Sequence, residues 1–353
     1  MTALKLGSLF DGIGVFPLAA VHCGMEPVWA SEIEARPISI TKRHFPDMLH
    51  LGDITKISGA EVPPVDVITF GSPCQDLSQI GTRNGFAGKK SSLFYQAMRI
   101  IEEMRYATNG RYPAFTVWEN VAGAFSSNDR LDFAAMLRAF TGAEVSVPPR
   151  GWAHAGMVRG GCADTAWRLL DAQYWGEPAL VQRRKRVFVV ADFAGQRAGE
   201  VLFKPRTVLP FSAIGGPGGL SATAGSGVPA AQTGRQVPIV RPFSLRRMRT
   251  MAQVGDQKGF CASFGRGGEP FPTLLASVTA PFSFWYEGEE RDGFLRALTP
   301  LECERLMGLP ENWTKYGCKN EEISDHARYR ALGNSIALPC AEYVMAGIAE
   351  VMN

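Results

Sequence analysis

Over the first 193 residues, two kinds of apolar block alternate along the chain. Short runs rich in apolar and β-branched residues, at 5–10, 27–31, 65–71 (VDVITFG), 114–118 (AFTVW) and 187–192 (VFVVAD), predict strands. Between them, longer stretches at 34–44, 93–105, 131–140 and 163–172 predict helices. Another helix is expected after Gly14, because Pro17 suits a first turn and Gly24 a stop. Such alternation predicts an α/β fold, a Rossmann-like, mostly parallel sheet with helices on both faces.

The pattern fails after about residue 194. Residues 211–238 are dominated by Gly, Ala, Ser, Thr and Pro, and 239–285 hold short β-prone pieces broken by Gly and Pro. The expected organisation is therefore a first domain at 1–193 and a smaller, irregular, β-rich domain at 194–295. A connecting segment at 296–326 and a C-terminal part at 327–353 follow, with a helix at 301–307 and a last helix at 337–351 that returns to the first domain.

Composition narrows the class. With 46% hydrophobic and 20% charged residues in 353, chain-long disorder, a collagen repeat and a coiled coil are excluded. The longest uncharged stretch, 207–234, is broken by Pro210, Pro217 and Pro229, so no membrane span is expected. The N-terminus has no secretory pattern, and the seven cysteines have no CxxC spacing. A cytoplasmic protein without disulfides or metal is expected. The net charge of +3 hides a segregation: residues 182–266 carry 14 Lys and Arg against 3 Asp and Glu, whereas 286–326 carry 5 against 10. A basic block inside a near-neutral chain points to a polyanion, although charge alone leaves a solvated basic surface equally open.

In a parallel α/β sheet, ligands bind where strands end. Phe10-Asp11-Gly12-Ile13-Gly14 is the turn after the first strand, where glycine lets the backbone approach a ligand. Glu32 closes the second strand, where a carboxylate can hold both hydroxyls of a ribose, and Asp53 can accept from an exocyclic amine of adenine. The set suits dinucleotides and S-adenosylmethionine alike, but the third glycine of GxGxxG is missing, since position 17 is Pro. Gly71-Ser72-Pro73-Cys74-Gln75 puts a thiol at the same sheet edge, where nearby positive charge would stabilise a thiolate. Glu119-Asn120-Val121 ends the next strand there, an acid placed to protonate what a nucleophile attacks. In Gln182-Arg183-Arg184-Lys185-Arg186, Arg184 and Arg186 share one face of an extended strand and can supply fixed positive charge.

Together these motifs resemble the DNA cytosine-5 methyltransferases, in the family's order over nearly the whole chain. Further similarity lies in Arg296-Ala297-Leu298-Thr299-Pro300, in Arg305-Leu306-Met307-Gly308-Leu309-Pro310, and in Arg328 through Ser335. The resemblance implies an S-adenosylmethionine-dependent enzyme acting on cytosine in double-stranded DNA, with S-adenosylhomocysteine as product. It implies that Cys74 is the nucleophile, that Glu119 engages the base, and that Arg184 and Arg186 support both. Phe10, Asp11, Gly12, Gly14, Glu32, Ile33, Asp53, Ile54, Pro73, Leu93, Asn334 and Ser335 would line the methyl donor. Residues 75–92 would form a loop closing over DNA, with Gln75, Ser78, Arg83 and Lys89 facing it, and Thr273 in the basic domain would belong to a Thr-Leu element. Arg246, Arg247 and Arg249 are candidates for contacts to guanine or phosphate.

Val15, Ser72 and Lys90 depart from the family's commoner residues without removing a reacting group. A monomer in a bacterial or phage setting is expected, associated with the nucleoid; a cognate restriction endonuclease and a solitary enzyme are both left open. The competing readings are an RNA cytosine methyltransferase of the same fold, a non-catalytic DNA-binding relative, and a dinucleotide-dependent oxidoreductase.

Overall fold

The structure, a computed structural model, describes residues 3–72, 93–204, 239–242, 271, 273–274, 282–286 and 294–353. Strands β1 (Lys5–Leu9), β2 (Glu26–Ser31), β3 (Leu49–His50), β4 (Val67–Phe70) and β5 (Phe115–Val121) pair in parallel in the order β3-β2-β1-β4-β5. Helices α1 (Val15–His22) and α2 (Ala35–His44) follow β1 and β2, α3 (Leu93–Ala107) precedes β5, and α4 (Leu131–Thr141) follows it. The strand order reverses at β1, which lies between β2 and β4, and that reversal opens a crevice at the carboxyl ends of the strands.

The helices cover both faces. On one side, α3 buries Phe94, Ala97, Met98, Ile100, Ile101 and Met104, the three-and-four spacing of an amphipathic helix. They pack with Phe133, Leu137 and Phe140 of α4 against Ile68, Phe70 and Trp118. On the other side, α1 has almost no polar face, and Val15 through Ala20 are buried. A helix apolar nearly all round must be covered on both sides, and the C-terminal helix supplies the second cover.

Beyond β5 the sheet departs from expectation. Strands β6 (Ala155–Arg159), β7 (Asp164–Asp171) and β8 (Lys185–Asp192) extend it in the order β5-β8-β7-β6, all antiparallel. The helix expected at 163–172 is thus strand β7. Ala163, Ala166, Trp167 and Leu170 fall at the three-and-four spacing of an amphipathic helix, so the local pattern favours helix although the segment is a strand. Pairing with β8 along its whole length decides the matter, and Ala166 and Leu170 enter one core while Trp167 enters the other. The sheet remains mostly parallel, with four parallel neighbours against three antiparallel.

Helix α5 (Ala198–Leu202) lies within the span expected to open a second domain, yet Ala198, Val201 and Leu202 are buried in the first core. Strands β9 (Ile239–Pro242), β10 (Phe282–Tyr286) and β11 (Phe294–Ala297) form a small antiparallel sheet of order β11-β10-β9. Helix α6 (Pro300–Leu306) begins with a capping box: Thr299 accepts from Glu302 N, and the Glu302 carboxylate accepts from Thr299 N. Helices α7 (Asp325–Asn334) and α8 (Leu338–Met352) close the chain, α8 burying Val344, Met345 and Ile348 against α1. Glu304 of α6 is fully buried but accepts from Asn312 N, Thr314 N and Arg328 Nη2, so its charge is compensated. No single helix among the described residues is long and apolar enough to cross a membrane.

Candidate active site

Three strand ends meet at the crevice. Leu9 of β1 pairs with Phe70 of β4, which pairs with Trp118 of β5, so the turn after β1 and the carboxyl of Glu119 flank Gly71 and Ser72. At about 4.8 Å per strand, the outer two stand about 10 Å apart.

The first side is the glycine turn. Phe10, Gly12 and Gly14 all have positive φ, and Gly14, at 78°, has Phe45 and Thr41 close to where a Cβ would stand, so a side chain there would be strained and crowded. The Glu32 carboxylate ties turn to strand end: Oε2 accepts from Gly12 N, and Oε1 accepts from Ile33 N and Glu34 N. Inside the turn, neither oxygen of the buried Asp11 carboxyl has a hydrogen-bond partner among the described residues. Burial, and then the charge of Glu32, push its pKa up to about 7; the hydroxyls of Ser8 and Thr41 pull the other way without being aligned to donate. Ile33, just past the end of β2, is 72% exposed, and Ile54 is buried in the core shared with α3 and α4. Asp53 accepts from the N–H and hydroxyl of Thr55, which hold its carboxyl below the usual range and therefore anionic. An orphaned carboxyl, an anionic one and an exposed apolar side chain fit a ligand with amine and hydroxyl donors around a flat ring, as S-adenosylmethionine has.

The second side holds the acid. Glu119 is 9% exposed, and Arg186 Nε lies 2.9 Å from its Oε1. The guanidinium N–H is not aimed at that oxygen, which therefore keeps its hydrogen-bonding capacity for another group. Burial raises the Glu119 pKa, and the charges of Arg186 and Arg184 restrain the rise. Gly71 leaves room for this carboxyl: a Cβ there would stand 3.1 Å from Glu119 Oε2. Cys74 lies outside the described residues, but the chain leading to it is fixed as far as Ser72. Trp118 Nε1 donates to Ser72 Oγ at 3.1 Å, and Asn120 Nδ2 donates to the Ser72 carbonyl at 3.0 Å.

Arg184 behaves differently from Arg186. It is 1% exposed and donates to the carbonyls of Leu274, Gly333 and Ser335. Burial and then the neighbouring Arg186 push its pKa down to about 9, so it stays charged at neutral pH. Arg184 thereby joins the Thr273-Leu274 segment to the α7–α8 junction, and Asn334 is exposed between two of the carbonyls it grips. Cys340 is within electrostatic reach of Glu119 and Arg184, but burial pushes its thiol up to about 12, which disqualifies it as a nucleophile.

Of the remaining expected residues, Leu93 opens α3 and packs on the second core. Thr273 donates its hydroxyl to the Arg183 carbonyl at 2.6 Å. Pro73, Gln75, Ser78, Arg83, Lys89, Arg246, Arg247 and Arg249 lie outside the described residues.

The family model of the C-5 cytosine-specific DNA methylases matches residues 4–203 and 246–350. The chain belongs to this family. It is 26% identical to a type II methyltransferase of Lactococcus lactis subsp. cremoris, over 99% of its own length and 78% of the relative's. It is 24% identical to a DNA N-6-adenine-methyltransferase of Escherichia phage P1, over 98% of its own length but only 61% of that protein's. Among solved structures, the S. pombe Dnmt2 methyltransferase has the same fold, with a TM-score of 0.58 at 15% identity over 99% of each chain.

In this member of the family the structure adds residues that the motifs did not single out. Trp313 donates its indole N–H to the Ile13 carbonyl at 2.8 Å, a bond from the segment after α6 back to the glycine turn. His44 stacks on the Trp313 ring at 3.6 Å and donates through Nε2 to the Trp313 carbonyl. Asp171 accepts from Arg184 N and so holds the arginine segment at the sheet end. A lone tryptophan and a lone aspartate give no spacing signal, so only the fold brings them to the site.

Proposed function

We propose that the protein transfers a methyl group from S-adenosylmethionine to carbon 5 of a cytosine rotated out of duplex DNA. The observation that carries this reading is the buried Glu119, an acid of raised pKa paired with Arg186 and within electrostatic reach of Arg184, on the strand beside the one that leads to Cys74. Cytosine carbon 5 is a weak nucleophile. The Cys74 thiolate adds to carbon 6, forming an S–C bond, while Glu119 delivers or shares a proton at ring nitrogen 3. That makes carbon 5 enamine-like and able to take the methyl group. Loss of the carbon 5 proton to a base then breaks the S–C bond, releases the thiolate and restores the ring. Duplex stacking blocks this attack, so the base must leave the helix, at a cost of a few kcal/mol.

Asp11, Gly12, Glu32, Ile33 and Asp53, with Phe10, Gly14, Ile54, Pro73, Leu93, Asn334 and Ser335, are the residues proposed to hold S-adenosylmethionine, whose sulfonium supplies the methyl group. Arg186 holds the Glu119 carboxyl, and Arg184 anchors the surrounding backbone. Target recognition is proposed for the region between α5 and α6, where the basic residues Arg246, Arg247 and Arg249 lie. The type II relatives support a functional link to a restriction endonuclease.

The phage P1 relative carries the name of an adenine methyltransferase. An exocyclic amine already has a nucleophilic lone pair and needs no covalent activation, so Cys74 with Glu119 favours carbon 5 of cytosine. Duplexes carrying 5-fluorocytosine test this directly, because carbon 5 then has no proton to lose and the adduct persists. DNA from a cell expressing the protein, digested and analysed as nucleosides, should contain 5-methylcytosine. Methylation confined to N6 of adenine, or to RNA, refutes the reading.

A further inference from the structure

Two cations of Gln182-Arg183-Arg184-Lys185-Arg186 have no part in the site described above. Side chains alternate along extended chain. Arg184 and Arg186 turn inward, whereas Arg183 and Lys185 are exposed. These two open onto a cleft of about 840 Å³, with the exposed His154 and with Thr273 also on its wall. Among the described residues of that lining Asp171 is the sole acid, and both its oxygens are engaged, Oδ1 by Arg184 N and Oδ2 by Gln173 Nε2. Neither Arg183 nor Lys185 forms an ion pair among the described residues. Among the described residues the cleft therefore presents an excess of positive charge.

Its floor is built in advance. Arg183 N donates to the Phe271 carbonyl at 2.7 Å, Phe271 N donates to the Val181 carbonyl at 2.6 Å, and the Thr273 hydroxyl holds the Arg183 carbonyl. Its position is equally fixed. Lys185 pairs with Asp171 and Arg186 with Val121, so the cleft borders the strand end that carries Glu119. The three steps from Arg186 back to Arg183 span about 10 Å of extended chain, comparable with about three nucleotides at ~3.4 Å each along one DNA strand.

We propose that this cleft holds the phosphate backbone of duplex DNA beside the target cytosine, with Arg183 and Lys185 each neutralising one phosphate. The assignment rests on the DNA methyltransferase reading and deepens it. Because phosphates carry no sequence information, these contacts set affinity and register, not site choice.

The double variant Arg183→Gln/Lys185→Gln tests it. Binding of a duplex, followed across salt concentration, should show a log–log slope about 1.8 units shallower than wild type, at about 0.9 per phosphate contact. That is a Kd raised up to about 60-fold at 0.1 M salt and converging on wild type near 1 M. Cognate and unrelated duplexes should lose equally, and S-adenosylhomocysteine binding should not change. An unchanged slope, in a wild-type protein that methylates duplex DNA, overturns the cleft and leaves the function standing. A wild-type protein that neither binds nor methylates duplex DNA overturns the function and the cleft together. If the double variant fails to fold, Arg183→Gln and Lys185→Gln are measured singly, each expected to lose about 0.9 of slope; no loss in either refutes the assignment.

Discussion

Asp11→Asn isolates the cost of burying an acid in the glycine turn. Asp11 has a folded pKa of about 7 against an ordinary 3.8, chiefly through burial. Between those values the folded state keeps its proton while the unfolded state has lost it, so stability falls as pH rises, by about 1.4 kcal/mol per pH unit. The loss begins near pH 4 and is complete above about pH 7. Integrated from pH 5 to pH 8 it amounts to roughly 2–3 kcal/mol, to order of magnitude. Asn is nearly isosteric and cannot titrate. Its buried amide carries a pH-independent penalty of about 1–3 kcal/mol if it finds no acceptor, so the sign of the gap at any one pH is not the test. The test is how that gap changes. Urea unfolding of the ligand-free protein at half-unit intervals from pH 5 to pH 8.5 should show Asp11→Asn gaining about 2–3 kcal/mol on wild type as pH rises, then levelling. A gap constant within about 0.5 kcal/mol across that range refutes the buried, unpartnered placement of Asp11.

Two further substitutions address the site itself. Glu119→Gln should lower single-turnover methyl transfer by about 100-fold or more, flatten the fall in rate that wild type shows as pH rises through the Glu119 pKa, and leave S-adenosylhomocysteine affinity unchanged. An unchanged rate removes the acid role. Trp313→Phe keeps a ring against His44 but leaves the Ile13 carbonyl without its indole donor, so urea unfolding should register a loss of about 1–2 kcal/mol. Calorimetric titration should show S-adenosylhomocysteine binding weakened severalfold; if stability and affinity both hold, Trp313 does not position the turn.

Local pattern determined much of this protein. The strands β1, β2, β4, β5 and β8 and the helices α1 to α4 follow from residues adjacent in sequence, because short apolar runs mark strands buried on both faces, three-and-four spacing marks α3, and Pro17 and Gly24 bound α1. The glycine turn, Glu119 and the arginine segment were legible for the same reason: each is a short motif at a strand end, and strand ends in such sheets converge. Tertiary pairing decided the rest. Residues 163–172 place Ala163, Ala166, Trp167 and Leu170 at helical spacing, and β8 makes the segment a strand by offering a full edge of unpaired backbone. Arg184 and Arg186, alike in sequence, acquire different work, since one is enclosed by three carbonyls and the other faces Glu119. The anomalous acidity of Asp11 and the tie from Trp313 to Ile13 arise only when segments up to 300 positions apart exclude water together. A sequence specifies which groups are present; the cost of removing each from water depends on neighbours that only the folded chain brings near.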